Sequence, residues 1–211
     1  FGLNPKLTGT VEVAGTAVKP KSPGQMAKNG VVYLPEDRDA QGLISAMSVR
    51  ANIALTSIKA LSKFGFMRPS RETKRAEQQR LALSIKGGVG DLVSSMSGGN
   101  RQKVAIARWL AVNPTVLLLD EPTHGIDVGT KADVHNIMRA LARKERKAIL
   151  MISSDLPEVL AVSDRVLVMS RGQLAADIDI ADATQENILA AANSTIPVLS
   201  YTDNSALMTT P

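Results

Sequence analysis

Cysteine is absent from the 211 residues. That excludes disulfides and thiolate metal sites, and it fits a reducing compartment such as the cytosol. Aromatic residues make up only 3% of the chain, too few for the stacking platforms that hold single-stranded nucleic acid. No apolar run approaches the length of a membrane span. No secretory leader opens the sequence, so secretion is not expected. The two histidines, His124 and His135, lack metal-ligand spacing.

What remains is ordinary globular material. Apolar content of 44% and charge of 21% allow a good core at this length, either one α/β domain or part of a larger one. The net charge of +5 is spread along the chain rather than gathered, so no nucleic-acid partner is expected. The first residue is Phe1, not Met, which leads one to expect a fragment or a processed product.

Residues 96–127 organise the rest. Ser97-Gly-Gly-Asn100 opens a helical pattern. Serine is a good N-cap, two glycines let a ligand approach closely, and the bare amides of a helix start suit phosphate. Val116-Leu-Leu-Leu119 reads as a strand buried on both faces. It would deliver Asp120 and Glu121 to the carboxyl edge of a sheet, where ligands of open α/β folds bind. One carboxylate can hold Mg²⁺ through its water shell while its neighbour polarises an attacking water. Asp127 follows after a turn. Each motif alone is usually a cap or a strand end; their order and spacing together favour nucleotide chemistry.

This stretch resembles the ATP-binding cassette (ABC) family. Ser97-Gly98-Gly99-Asn100 is similar to its signature motif, Leu117 to Glu121 to its Walker B segment, and Gly125-Ile-Asp127 to its D-loop. The resemblance is closer still to the C-terminal, second ATPase half of monosaccharide importers of the ribose, xylose and rhamnose type. Tyr33-Leu-Pro-Glu-Asp-Arg38, Ser97 to Asn100, Asp120 to Gly129 and Ser153-Ser-Asp-Leu-Pro-Glu158 are all similar to motifs of that half. The likeness runs from residue 1 to about residue 180.

The resemblance implies a P-loop NTPase fold of the ABC type, a parallel core sheet with helices plus a helical subdomain. Residues 1–46 and 113–192 would form an incomplete RecA-like core, and 47–112 the helical subdomain ending in the signature. No G-x-x-x-x-G-K-[ST] occurs, so the phosphate-cradling Walker A loop is expected to be missing. ATP and Mg²⁺ are the implied cofactors, with Glu121 catalytic and Asp120 on the metal. Ser97, Gly98, Gly99, Asn100, Glu36, Asp127 and Ser154 are the implied nucleotide-binding positions. Glu36 stands where the family has its Q-loop glutamine, and Ser154 where it has a histidine on the γ-phosphate. Serine keeps a hydroxyl but cannot carry charge. The implied partners are the other ATPase half, membrane permease subunits and, indirectly, an extracytoplasmic sugar-binding protein. The implied place is the cytoplasmic face of the inner membrane. Two alternatives stay open: a non-catalytic interaction or regulatory ABC module, and, with less support for want of coiled-coil heptads, an ABC ATPase of DNA repair or the ribosome.

Periodicity supplies the remaining elements. Thr10 to Val18 reads as one strand, Val31 to Leu34 as a buried strand, and Ala148 to Ile152 as another. Ser70 is expected to cap a polar helix over Arg71–Leu83. Trp109 reads as a packing residue and His135 as surface. Val134, Ile137, Met138 and Leu141 form an apolar stripe, Asp155 to Val162 a short helix, and Val166 to Met169 a third core strand. A last helix over Asp182–Asn193 leads into a flexible tail at 193–211.

Overall fold

The computed structural model describes residues 1–4, 8–58, 62, 63, 66, 67 and 69–194. Most of the expected tail therefore lies outside the described residues. The chain divides into two compact units, Phe1–Ile152 and Ser153–Pro211.

The first unit opens with a hairpin, β1 (Val11–Val13) against β2 (Thr16–Val18), antiparallel. The single strand expected over Thr10–Val18 is thus two. Ala14 and Gly15 both take positive φ, 50° and 73°, the paired left-handed turn that matches strand twist in a two-residue hairpin. Helix α1 (Pro23–Lys28) follows, with Ser22 as its cap, accepting from the Gln25 N–H at 3.3 Å.

A parallel sheet forms the centre. Strand β3 (Val31–Leu34) pairs with β6 (Val116–Asp120), which pairs with β7 (Ala148–Ile152). The register sets Leu34 beside Leu119, and Asp120 beside Ile152. All three strands therefore end together, and β6 carries its terminal carboxylates to their common edge. Strand β7 departs from the buried strand expected there. Its side chains alternate, with Leu150 51% and Ile152 56% exposed. An apolar run reports hydrophobicity but not whether both faces are covered.

Between β3 and β6 lie a short two-stranded ribbon (β4, Ser62–Lys63; β5, Phe66–Met67) and three helices: α2 (Val49–Ala54), α3 (Pro69–Ala82) and α4 (Gly98–Leu110). Helix α3 begins at Pro69, so Ser70 sits in its first turn rather than capping it; proline is well placed at a helix start. Val49 and Ile53 of α2 and Val104 of α4 are buried. Helix α5 (Val128–Arg143) crosses from β6 to β7 with Val134, Met138 and Leu141 buried, as its stripe implies.

The second unit contains α6 (Leu156–Val162), β8 (Arg165–Ser170), β9 (Gln173–Asp179) and α7 (Gln185–Asn193). Strand β8 is expected to extend the parallel sheet. Its ladder partner is β9 instead, antiparallel, across a turn with Arg171 and Gly172 at φ 48° and 79°. Val166, Val168, Ala176, Ile188 and Ala191 make its core.

Candidate functional site

Asp120 ends β6, and Glu121 leaves it at φ 44°. That left-handed conformation is costly for a residue with a Cβ and is typical of functional turns. The Glu121 N–H donates to the Ile152 carbonyl at 2.9 Å, and the His124 N–H to the Glu121 carbonyl at 3.1 Å. The strained residue is thus pinned between β7 and its own turn. Asp120 Oδ2 accepts from the Tyr33 hydroxyl at 2.8 Å. Burial, then the hydrogen bond and charge of Asp120, push the Tyr33 phenol up from its ordinary 10.0 to about 12. The Phe1 ring packs on Tyr33, and edge-on against Trp109, so Trp109 is a packing residue, as expected.

The amino end of α4 lies at the same edge. Ser97 is exposed, and its Oγ accepts from the Asn100 N–H at 3.4 Å and from Asn100 Nδ2 at 2.9 Å. Asn100 Oδ1 in turn accepts from the Lys86 N–H. Gly99 is buried against Thr130: a Cβ added there would lie 2.3 Å from Thr130 Cγ2. Thr130 is itself held by Asp127, which caps α5 by accepting from the Thr130 N–H at 3.0 Å and from its hydroxyl at 2.7 Å. Those bonds hold the exposed Asp127 carboxyl below the usual carboxylate range.

The loop after β3 completes the edge. Asp37 caps a wide turn over Arg38–Gly42, accepting from the Asp39 and Ala40 N–H groups. Glu36 is exposed and lies 3.5 Å from His124 Nδ1. Arg38 Nη1 donates to the His124 carbonyl at 3.0 Å. Asp39 lies 3.5 Å from Arg101 in the first turn of α4. The first unit therefore gathers Glu36, Ser97 to Asn100, Asp120, Glu121 and Asp127 on three adjoining loops. Ser154 belongs to the second unit, beside Ser153, whose hydroxyl donates to Glu158 Oε2 at 2.6 Å and accepts from the Asp155 N–H. Tyr33, Arg38 and Thr130 join these loops; sequence reasoning took Thr130 or Asp127 as the cap of α5, and Asp127 is the cap. Tyr33 and Arg38 were legible as members of one motif, but their bonds to Asp120 and to the His124 carbonyl were not.

A family model described as ABC transporter matches residues 1–124. The chain belongs to the ABC transporter family. It is 47% identical over 193 residues to the ribose import ATP-binding protein RbsA 1 of Streptomyces coelicolor, covering 91% of this chain and 38% of that protein. It is 46% identical to the RbsA of Rhodococcus jostii over the same shares. The RbsA of Streptococcus agalactiae is 40% identical over 90% of this chain and 38% of its own length. The chain thus spans 38% of the length of these curated relatives. Among solved structures, a dimeric ATP-binding cassette in a post-hydrolysis state with ADP and Pi superposes at TM-score 0.69 with 21% identity. The match covers 82% of this chain and 74% of that one. A second dimeric structure of the same cassette superposes at 0.68. The three-stranded parallel sheet with its helices is accordingly the ABC ATPase fold, and the gathered loops lie at its carboxyl edge.

Proposed function

We propose that the chain is the second nucleotide-binding half of a sugar importer's ATPase subunit, and that it serves chiefly by donating its signature to ATP held by the other half. The observation that supports this is the amino end of α4. Ser97 is exposed there, and Gly98 and Gly99 start the helix beside the turn that follows Asp120. A hydroxyl and unpaired amides backed by a helix dipole suit a phosphate presented from outside the chain. The ribose-import names of the relatives support sugar as the cargo.

The chain's own carboxylates fit a lesser part. Among the described residues no group of three or more His, Cys, Asp or Glu side chains is placed to hold a metal. Asp120 already accepts the Tyr33 hydroxyl. Asp120 would be the residue to hold Mg²⁺ brought with a nucleotide, and the ion would there supply neutralisation of phosphate charge. Glu121 would orient water, Glu36 would stand beside the metal, and Asp127 would line the seam with the other half. Ser154 in place of histidine offers the γ-phosphate only a neutral hydroxyl. A lost charge-assisted contact costs about 1.5–3 kcal/mol, enough to weaken turnover at this half's own site.

The proposal extends to organisation and place. Residues 1–46 and 113–192 form the core, and 47–112 the helical subdomain. The partners are the other ATPase half, permease subunits and, through them, an extracytoplasmic sugar-binding protein, at the cytoplasmic face of the membrane. No helix among the described residues is long and apolar enough to cross a membrane.

The test compares two substitutions in the full-length polypeptide. Gly99→Asp drives a side chain into Thr130 and displaces the start of α4, and it is expected to abolish ATP turnover. Glu121→Gln is expected to leave most of it. The reverse pattern would overturn the division of labour, and turnover untouched by both would favour a non-catalytic regulatory module.

A further inference from the structure

We infer that Arg38 is a positioning residue. It straps the turn after β6 to the amino end of α4, so that signature and D-loop segments move as one body. The inference deepens the functional reading above and rests on it for its effect on turnover.

The strap is visible atom by atom. Arg38 Nη1 donates to the His124 carbonyl at 3.0 Å, inside the turn between Glu121 and Asp127. Its other terminal nitrogen faces α4: a Cβ added to Gly98 would lie 3.3 Å from Arg38 Nη2 and 3.5 Å from the Gly125 carbonyl. One planar guanidinium therefore spans two segments that are 27 residues apart at Gly98 and Gly125 in the sequence. Arg38 Nε is buried with no hydrogen-bond partner.

The base of the strap is fixed as well. Asp37 caps the turn that carries Arg38, and a Cβ added to Gly42 would lie 3.4 Å from Arg38 Cβ. The neighbours of Arg38 reinforce the link on either side, Glu36 towards His124 and Asp39 towards Arg101. A loop so gripped cannot shift without carrying both segments. Lysine cannot substitute, because a single ammonium on a flexible stem can reach the His124 carbonyl but has no second nitrogen to pack beside Gly98.

The placement also bears on charge. A cation against the positive end of a helix dipole is unfavourable until an anion arrives. Arg38 beside the amino end of α4 is thus better accommodated with phosphate present than without it.

Hydrogen exchange and steady-state turnover, measured on the full-length polypeptide that carries this chain, test the inference. In Arg38→Ala, amides of residues 98–104 and of residues 124–131 are expected to exchange faster together. kcat should fall about tenfold, the equivalent of one charge-assisted bond, with the KM for ATP unchanged. Arg38→Lys keeps the charge and is expected to restore one segment but not both. Faster exchange confined to residues 36–42, or full restoration of both segments by lysine, would overturn the strap. If both segments loosen while kcat holds, the strap stands and the nucleotide role of the α4 amino end falls. Should Arg38→Ala fail to fold, the lysine variant alone still decides.

Discussion

At the scale of the residue, Tyr33 carries the most distinctive electrostatics. Its phenol is pushed up to about 12, with burial the larger cause and Asp120 the next. An acid whose folded pKa is raised stabilises the fold fully below its unfolded value of about 10, and loses that contribution as pH climbs towards the folded value. The tyrosinate absorbance of wild type minus Tyr33→Phe should therefore show a midpoint near 12. The wild type should also lose stability more steeply than the variant above about pH 10. A midpoint at the ordinary value would mean that neither the burial of Tyr33 nor its bond to Asp120 persists in solution. Tyr33 was legible as part of a motif, yet its bond to a residue 87 positions away was not. By contrast Ser97 was legible as a cap, because a cap bonds within three residues of itself.

At the scale of the element, the loop before α2 is organised by one buried amide. Asn52 is fully buried; its Oδ1 accepts from the Ile44 N–H, and its Nδ2 donates to the Ile44, Met47 and Ser48 carbonyls. Asn52→Ala would strand several backbone groups away from water, at a cost of about 2–4 kcal/mol. Urea unfolding should show a lower midpoint with an unchanged slope. A shift within error would mean that water replaces the amide there. Periodicity could not show this, since an asparagine within an apolar stretch reads as an interruption. Elements with mixed signals were also the ones misread. Ala14 is no usual turn residue, so β1 and β2 merged into one strand. The apolar run of β8 concealed that it pairs antiparallel with β9 rather than joining the parallel sheet.

At the scale of the whole molecule, the exposed face of β7 is the feature to explain. Leu150 and Ile152 point outward from the edge strand of the parallel sheet, and no strand among the described residues pairs with its far side. Unpaired edges and apolar faces invite a second copy. The 211-residue chain is therefore expected to associate as its concentration rises, read by light scattering. Leu150→Lys combined with Ile152→Lys should suppress this with little loss of folded structure, because both side chains already face solvent. A stable monomer at high concentration would show that this face is harmless. The parallel order was legible from alternating strands and helices, but the coverage of each face was not, because coverage depends on what lies opposite. The interlock of Gly99 with Thr130 reaches furthest beyond its own neighbourhood. The two positions hold a single allotment of volume between them. A side chain at position 99 is admissible only where position 130 gives up that volume, so the freedom of one codon is set by the other.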